Sequence, residues 1–259
     1  MKVVCLNIWG GRAGKAGLLT FFEQCRDEVD IFCLQEVWSD RYEELEGVMA
    51  GGKPIDHSEI MIHGLQEITA TLPNHQSYFR PQHGDHYGLC IFIRKDISIL
   101  EEGEVFVHLS KGYMPEVKDI GKHARNIQYV TFLSGTKPVT VINFHGLWNG
   151  QGKDDSDDRL AQSDKINDFI RTIENPLILC GDFNLKPNTA SLKKLEDAGL
   201  ENLIKTHSIT STRTSFYDKA EKFADYMLIR KEVNVKDFKV LPEEVSDHAA
   251  LCLEFDIDA

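Results

Sequence analysis

Several apolar runs of this chain begin or end on groups able to hold a cation, move a proton or contact a phosphate. Asn7 ends the first run, in Cys5-Leu6-Asn7-Ile8. Glu36 ends the second, in Leu34-Gln35-Glu36-Val37-Trp38. His145 follows Val141-Ile142-Asn143-Phe144, and Asp182 and Asn184 follow Leu177-Ile178-Leu179-Cys180-Gly181. Asp225 opens Asp225-Tyr226-Met227-Leu228-Ile229, and Asp247 and His248 precede the last run. A carboxylate beside an apolar run must be paired, hydrogen-bonded or metal-bound, because burying it bare is costly. Several such groups at strand ends predict one shared cleft. The oxygen-rich set Asn7, Glu36, Asp182, Asn184 and Asp247 suits a hard cation, Mg2+ or Mn2+, better than zinc, which prefers His and Cys together. His145 and His248 beside strand-end carboxylates suit proton transfer or phosphate contact.

Taken singly, each group has a plain structural explanation. A strand-end Asp or Glu is more often a cap or a solvated turn residue than a ligand, and an Asp-His pair is usually incidental. His57, His63, His75, His83, His86, His108, His123 and His207 are read as surface or core histidines, and Trp9 and Trp38 as core anchors. The combination carries the functional reading.

The elements that must position these groups are short. Apolar runs at Val3–Ile8, Ile31–Leu34, Leu89–Ile93, Ile127–Leu133, Val139–Phe144, Leu177–Cys180, Tyr226–Ile229 and Ala249–Phe255 are apolar on both faces, which predicts strands buried between other layers. Helical spacing of apolar residues marks Lys15–Asp27, Ser58–Leu72 (stopped by Pro73), Asp157–Ile173 and Thr189–Ala198, the last with Asn188 as its N-cap. Gln128–Leu133 and Val139–Phe144, joined through Ser134-Gly135-Thr136-Lys137, read as a hairpin. Gly47–Gly52 reads as a Gly-rich loop and residues 154–158 as a short acidic loop leading into a helix. No linker or repeat divides the chain, so one domain over residues 1–259 is expected, with a mostly antiparallel, strand-rich core, helices outside, and two sheets packed face to face.

The chain has 259 residues, of which 42% are hydrophobic and 27% charged, an ordinary globular composition. No apolar run approaches the roughly 20 residues of a membrane span. The N-terminus enters a strand-like run with no signal-peptide pattern, so a cytoplasmic location is expected. The net charge of −12 disfavours avid, sequence-independent binding of polyanions while allowing a local basic cleft. The six cysteines show no metal-knuckle or CxxC spacing, and five sit in apolar runs, so buried, reduced thiols are expected.

The motifs Cys5-Leu6-Asn7-Ile8-Trp9-Gly10, Leu34-Gln35-Glu36-Val37-Trp38, Asn143-Phe144-His145-Gly146, Gly181-Asp182-Phe183-Asn184, Ala224-Asp225-Tyr226 and Ser246-Asp247-His248 occur in the order of the endonuclease/exonuclease/phosphatase superfamily. In them the chain resembles that superfamily from residue 7 to residue 248. Its members include pancreatic-type deoxyribonucleases, abasic-site endonucleases, inositol polyphosphate phosphatases and neutral sphingomyelinases. The resemblance implies a four-layered α/β sandwich of two mixed sheets flanked by helices, and Mg2+-dependent hydrolysis of a phosphate ester. It implies Glu36 as the principal metal ligand, with Asn7 and Asp247 near the metal or its waters. It implies that Asp182 orients or deprotonates the attacking water and that Asn184 positions water or phosphate. It places His248 on the scissile phosphate, oriented by Asp225, and His145 near the leaving group, with Arg125 a weaker phosphate contact. An Asp beside His248 would favour its charged form.

Two positions depart from relatives. Trp9 stands where abasic-site endonucleases often carry an acidic residue, and no Glu near Tyr87 matches the one that the deoxyribonuclease type pairs with its first histidine. The Asn7-Ile8-Trp9-Gly10 and Glu36-Val37-Trp38-Ser39 strings resemble neutral sphingomyelinases. The leading expectation is a metal-dependent phosphodiesterase or phosphatase of nuclease-like type. The alternatives are a sphingomyelinase-like lipid phosphodiesterase and a catalytically inactive binding module on the same fold. The expected partner is a phosphoester, whether nucleic acid, nucleotide, lipid or sugar phosphate.

Overall fold

The computed structural model describes residues 1–39, 47–50, 53–54, 56–116 and 119–257. Gly51 and Gly52 of the expected Gly-rich loop lie outside the described residues. All eight apolar runs form strands, and the structure adds strands that the runs did not mark. In chain order these are β1 (Lys2–Asn7), β2 (Ile31–Trp38), the short pair β3 (Met49–Ala50) and β4 (Lys53–Pro54), β5 (His75–His83), β6 (Tyr87–Arg94), β7 (Ile99–His108), β8 (Arg125–Ser134), β9 (Lys137–His145), β10 (Leu177–Asp182), β11 (Glu201–Asn202), β12 (Asp225–Ile229), β13 (Val233–Val240) and β14 (Leu251–Ile257). Two six-stranded sheets result, ordered β13-β14-β1-β2-β6-β5 and β11-β12-β10-β9-β8-β7. The longer strands that the sequence did not mark, β5, β7 and β13, and the two-residue β11, are the four sheet edges. A half-exposed edge strand carries mixed polarity, so a search for doubly apolar runs passes over it.

Pairing is antiparallel throughout both sheets, except for β1 with β2 and β9 with β10. Each sheet therefore has one central parallel pair. The sheets pack face to face, with Val3, Cys5, Ile31, Cys33, Ile91 and Ile93 of the first in one buried cluster with the strands of the second. Alternation sends Val4, Leu6, Phe32, Leu34, Cys90 and Phe92 to the outer face, where they meet Leu18, Phe21 and Phe22 of α1 (Lys15–Cys25) and Ile68 of α2 (Gly64–Thr71). Helices α3 (Asp157–Arg171) and α4 (Ala190–Asp197) cover the second sheet through Ile166, Ile170, Leu192 and Leu195, and α5 (Leu203–Thr206) follows β11. Helix, two sheets and helix make the four-layered α/β sandwich.

Two helix boundaries differ from the sequence reading. The expected helix Ser58–Leu72 is a 3-10 turn at His57–Glu59 followed by α2. The Met61 amide donates to Gly10 carbonyl at 2.8 Å, so it is spent on a long-range contact where a continuous helix would need it. Helix α4 is capped by Thr189 and not by Asn188, the Thr189 hydroxyl accepting from the Leu192 amide. The six cysteines are free thiols, all buried except the half-buried Cys25.

A polar latch crosses the interior beneath the strand ends. Gln35 Nε2 donates to Asn143 Oδ1 at 2.6 Å, and Asn143 Nδ2 donates to Leu34 carbonyl at 2.9 Å. These side chains are fully buried, so a shift of one sheet against the other would strand them unpaired. The latch fixes β2 against β9 next to Glu36 and His145.

Candidate functional site

The parallel pairs decide where the chemistry gathers. Asn7 and Glu36 stand at or near the C-terminal ends of β1 and β2, and His145 and Asp182 end β9 and β10 in direct register. Asp225 opens β12 opposite Asp182, and Asp247 and His248 precede β14. Ligand sites in open α/β sheets lie outside such carboxyl ends. Here both sheets deliver theirs to one rim, around a cleft of about 410 Å3. Glu36, Arg125, His145, Asp182, Asn184, Asp247 and His248 line this cleft, and Asn7 and Asp225 are hydrogen-bonded to them.

Asn7 is the centre. Its Nδ2 donates to Glu36 Oε1 at 3.1 Å and to Asp182 Oδ2 at 3.0 Å, and its Oδ1 accepts from the Trp9 amide at 2.9 Å. It thereby ties a carboxylate of one sheet to a carboxylate of the other. Asp182 Oδ1 accepts from the Asn184 amide at 2.9 Å, and His145 Nε2 and His248 Nε2 lie 3.7 and 3.6 Å from Asp182 Oδ2. Asp182 is thus the group on which both histidines converge.

Glu36 reaches the cleft through a break in its strand. The β2–β6 ladder is irregular between Leu34 and Val37, and Glu36 has φ +59°. A left-handed non-glycine residue costs roughly 1–2 kcal/mol. Trp9 at φ +51° and Asn184 at φ +52° share that conformation and line the same cleft. Such strain gathers where the surroundings hold a residue for function. Gly146 and Gly181 are required by close approach: a Cβ would lie 2.2 Å from Phe183 carbonyl oxygen at Gly146, and 1.8 Å from that of Phe144 at Gly181.

His248 Nδ1 hydrogen-bonds both Asp225 oxygens, at 2.8 and 2.9 Å. Ser246 fixes the approach, donating to Asn7 carbonyl at 2.7 Å and accepting from the His248 amide. Thr212 Oγ1 accepts from the amides of Ala224 and Asp225. The expectation that Asp225 makes His248 cationic near neutrality needs correction. Burial pushes the Asp225 carboxyl up, and burial together with the Arg213 guanidinium pushes the His248 imidazole down. Burial thus opposes the charged form of both groups, while the Nδ1 contact with Asp225 fixes the orientation of the ring. Burial, then Arg125, likewise holds His145 well below the ordinary histidine range, and its Nδ1 has no hydrogen-bond partner. That is consistent with the lack of a Glu near Tyr87.

The donor set fits a hard divalent cation. Glu36, Asp182 and Asp247 are carboxylates, with Asn7 and Asn184 amides between them. Burial raises the Glu36 and Asp247 carboxyls, and neighbouring carboxylates add to both effects. Among the described residues the one Lys or Arg ion pair to these three is Arg213 Nη1 to Asp247 Oδ2, at 2.9 Å. A divalent cation would offset this uncompensated charge. Asp182, Asp225 and His248 also bring ligand atoms within 4.8 Å of one another. His248 Nδ1 already bonds Asp225, so that triple reads as a hydrogen-bonded pair beside a carboxylate.

Sequence reading underestimated the cations. Arg125 lines the cleft as expected; it is 2% exposed, and its Nε and Nη1 have no hydrogen-bond partner. Arg12, Lys153 and Arg213 join it, so a chain of net charge −12 has a cleft rich in cations. None of these three sits in an apolar run, and nothing local marks them. His123, taken as an ordinary histidine, is buried in the cleft wall with both ring nitrogens unpartnered. Trp9, Trp38 and Trp148, the three tryptophans of the chain, all line the cleft, as does Tyr217.

The sequence profile of the Endonuclease/Exonuclease/phosphatase family matches residues 4–248, and the chain belongs to that family. Its enzymes are hydrolytic phosphoesterases that generally use divalent metals. No curated protein matches the chain by sequence. Among solved structures, an endonuclease/exonuclease/phosphatase family protein from Bacteroides thetaiotaomicron is similar at TM-score 0.76 and 17% identity, over 100% of this chain and 98% of that one. A mannosyl-6-phosphatase of the same organism is similar at TM-score 0.71 and 18% identity, over 99% and 100%. The human Nocturnin catalytic domain is similar at 0.64 and 17%, over 100% and 93%. At these identities the likeness is one of fold.

Proposed function

We propose that this member of the family is a Mg2+-dependent phosphoesterase, a single catalytic domain that attacks a phosphate ester with water. The observation that carries the reading is the convergence of His145, His248 and Asn7 on the Asp182 carboxylate, with Glu36 hydrogen-bonded to the same Asn7. When bound, a divalent cation at Glu36, with Asn7 and Asp247 at it or its waters, supplies charge stabilisation for the phosphate oxygens; Mn2+ fits the same donors. The chain's own groups do the rest. Asp182 Oδ2 accepts the proton of the attacking water, and Asn184 orients that water or the phosphate. His248 turns Nε2 toward the scissile phosphate, where the arriving anion favours the protonated form that donates a hydrogen bond, while Asp225 fixes its ring and tautomer. His145, whose Nε2 is also near Asp182 Oδ2, serves the leaving group, and Arg125 adds positive charge.

The cleft volume falls in the range of small-ligand sites, roughly 300–1,000 Å3. With a net charge of −12, this favours a compact phosphoester over a long duplex. Among the described residues no helix is long and apolar enough to cross a membrane.

The test is a panel of nucleotide, sugar-phosphate and lipid phosphoesters assayed with Mg2+ and Mn2+, on wild type and Glu36→Gln. The isosteric variant should keep the fold, lose roughly a hundredfold or more in turnover, and bind Mg2+ more weakly. Near wild-type turnover at low Mg2+ would remove Glu36 from the metal site.

A further inference from the structure

In the strand order of the second sheet, β8 with Arg125 lies on one flank of β9 and β10, and β12 lies on the other. A second group of cations occupies this other flank. Lys153, on the loop between β9 and α3, is 5% exposed and lines the cleft. Its Nζ donates to Phe223 carbonyl at 3.2 Å, and no carboxylate of the described residues lies within ion-pair distance of it. It stands 5.3 Å from the centre of the Tyr217 ring, and the Arg213 guanidinium stacks on the same ring at 4.0 Å. Arg213 gives Nη1 to Asp247, while its Nε is buried with no partner.

Two buried cations therefore share one aromatic ring, with donors to spare and a single carboxylate between them. Burial, then the Arg213 charge, lowers Lys153 to about 8, outweighing the opposing pull of the Asp182, Asp225 and Asp247 carboxylates. Its position is nonetheless firmly built. The Lys186 amide donates to Lys153 carbonyl at 3.0 Å, and buried Arg159 donates to the carbonyls of Leu147, Gly152 and Asp154 around it. Asp155 closes the loop by accepting from the Ala190 and Ser191 amides at the start of α4. The acidic run 154–158 is thus partly structural, and it holds Lys153 in place. An ammonium fixed this way, at a cost in charge burial, is preorganised for an anion that arrives from outside.

We propose that Lys153, Arg213 and Tyr217 form a subsite for a doubly charged phosphate group of the substrate. The proposal rests on the phosphoesterase reading above and names the substrate class within it. A phosphate dianion offers three terminal oxygens to the free donors of Lys153 and Arg213 Nε, and its charge matches theirs. A diester phosphate offers two oxygens and one charge. The dianion is either the scissile phosphate of a monoester or the second phosphate of a bisphosphorylated substrate.

The test uses Lys153→Met, which keeps the apolar stem, and Lys153→Arg, which keeps the charge. Affinity for inorganic phosphate in the presence of Mg2+ should fall roughly tenfold or more in Lys153→Met, the scale of one charge-assisted hydrogen bond, and recover in Lys153→Arg. In kcat/KM, Lys153→Met should lose at least as much on p-nitrophenyl phosphate if the scissile group occupies the subsite. It should lose it on fructose 1,6-bisphosphate, and not on fructose 6-phosphate, if a second phosphate does. Bis(p-nitrophenyl) phosphate, whose phosphate carries one charge and two terminal oxygens, should lose several-fold less than the affected monoester or bisphosphate. The proposal is overturned if Lys153→Met binds phosphate as wild type does, or if all the esters lose activity alike. A wild type that binds phosphate through Lys153 but hydrolyses no ester would leave the subsite standing and remove the phosphoesterase reading. Hydrolysis with no selective loss in Lys153→Met would do the reverse.

Discussion

An ammonium buried for the sake of a ligand should weaken the unliganded fold, and the size of that effect can be worked from Lys153. Its pKa falls from the ordinary lysine value of 10.5 to about 8, with burial as the largest cause and Arg213 next. The fall is roughly two and a half units at about 1.4 kcal/mol each, or about 3.5 kcal/mol. The sign follows from proton counts. Between about pH 8 and 10.5 the unfolded chain holds a proton at Lys153 that the folded chain has lost, so stability rises with pH through that window. Below about 8 the penalty is present in full; above 10.5 it is gone. Lys153→Met removes it at every pH. The substitution also removes the bond to Phe223 carbonyl and the contact with Tyr217, together worth roughly 1–2 kcal/mol. The variant should therefore be about 2 kcal/mol more stable than wild type at pH 7.5 and about 1 kcal/mol less stable at pH 10.5. The assay is urea unfolding of both proteins in phosphate-free buffer at pH 7.5, 9 and 10.5, read as the difference between them so that other titrating groups cancel. A variant less stable at pH 7.5, or a difference that does not change with pH, would refute the argument that Lys153 is held charged against its burial.

Three further outcomes are expected. Asp225→Asn should lower kcat/KM roughly tenfold to a thousandfold, and adding it to His248→Ala should cost little more than His248→Ala alone, because the two act as one unit; additive losses in the double-mutant cycle would separate them. Gly181→Ala puts a Cβ 1.8 Å from Phe144 carbonyl oxygen and must push β9 from β10, so soluble yield and Tm should drop sharply, whereas an unchanged Tm would contradict the close approach. Thr189→Ala should cost about 1 kcal/mol in chemical denaturation through loss of the α4 cap, and Asn188→Ala should cost much less.

The inner strands were legible in the sequence because a strand covered on both faces must be apolar at every position, as in Val3–Leu6 or Leu177–Cys180. The hydrogen-bonding groups at their ends were legible for the same reason, since Asn7, Glu36, Asp182 and Asp225 stand out against apolar neighbours. The order of those groups along the chain was enough to indicate a phosphoester-hydrolysing family. The edges β5, β7, β11 and β13 were not legible, because a strand with one neighbour has no fixed polarity pattern. Lys153 and Arg213 were not legible either. They lie in loops, and what makes them notable is that Lys153 shares the Tyr217 ring with Arg213, that Arg213 pairs with Asp247, and that Lys153 is buried, which only the folded arrangement decides. The charge state of the His248–Asp225 pair belongs with them. Sequence places an acid and an imidazole where they can meet, but only the depth of the site decides that burial outweighs their attraction, because the cost of a buried charge is set by everything that excludes water around it.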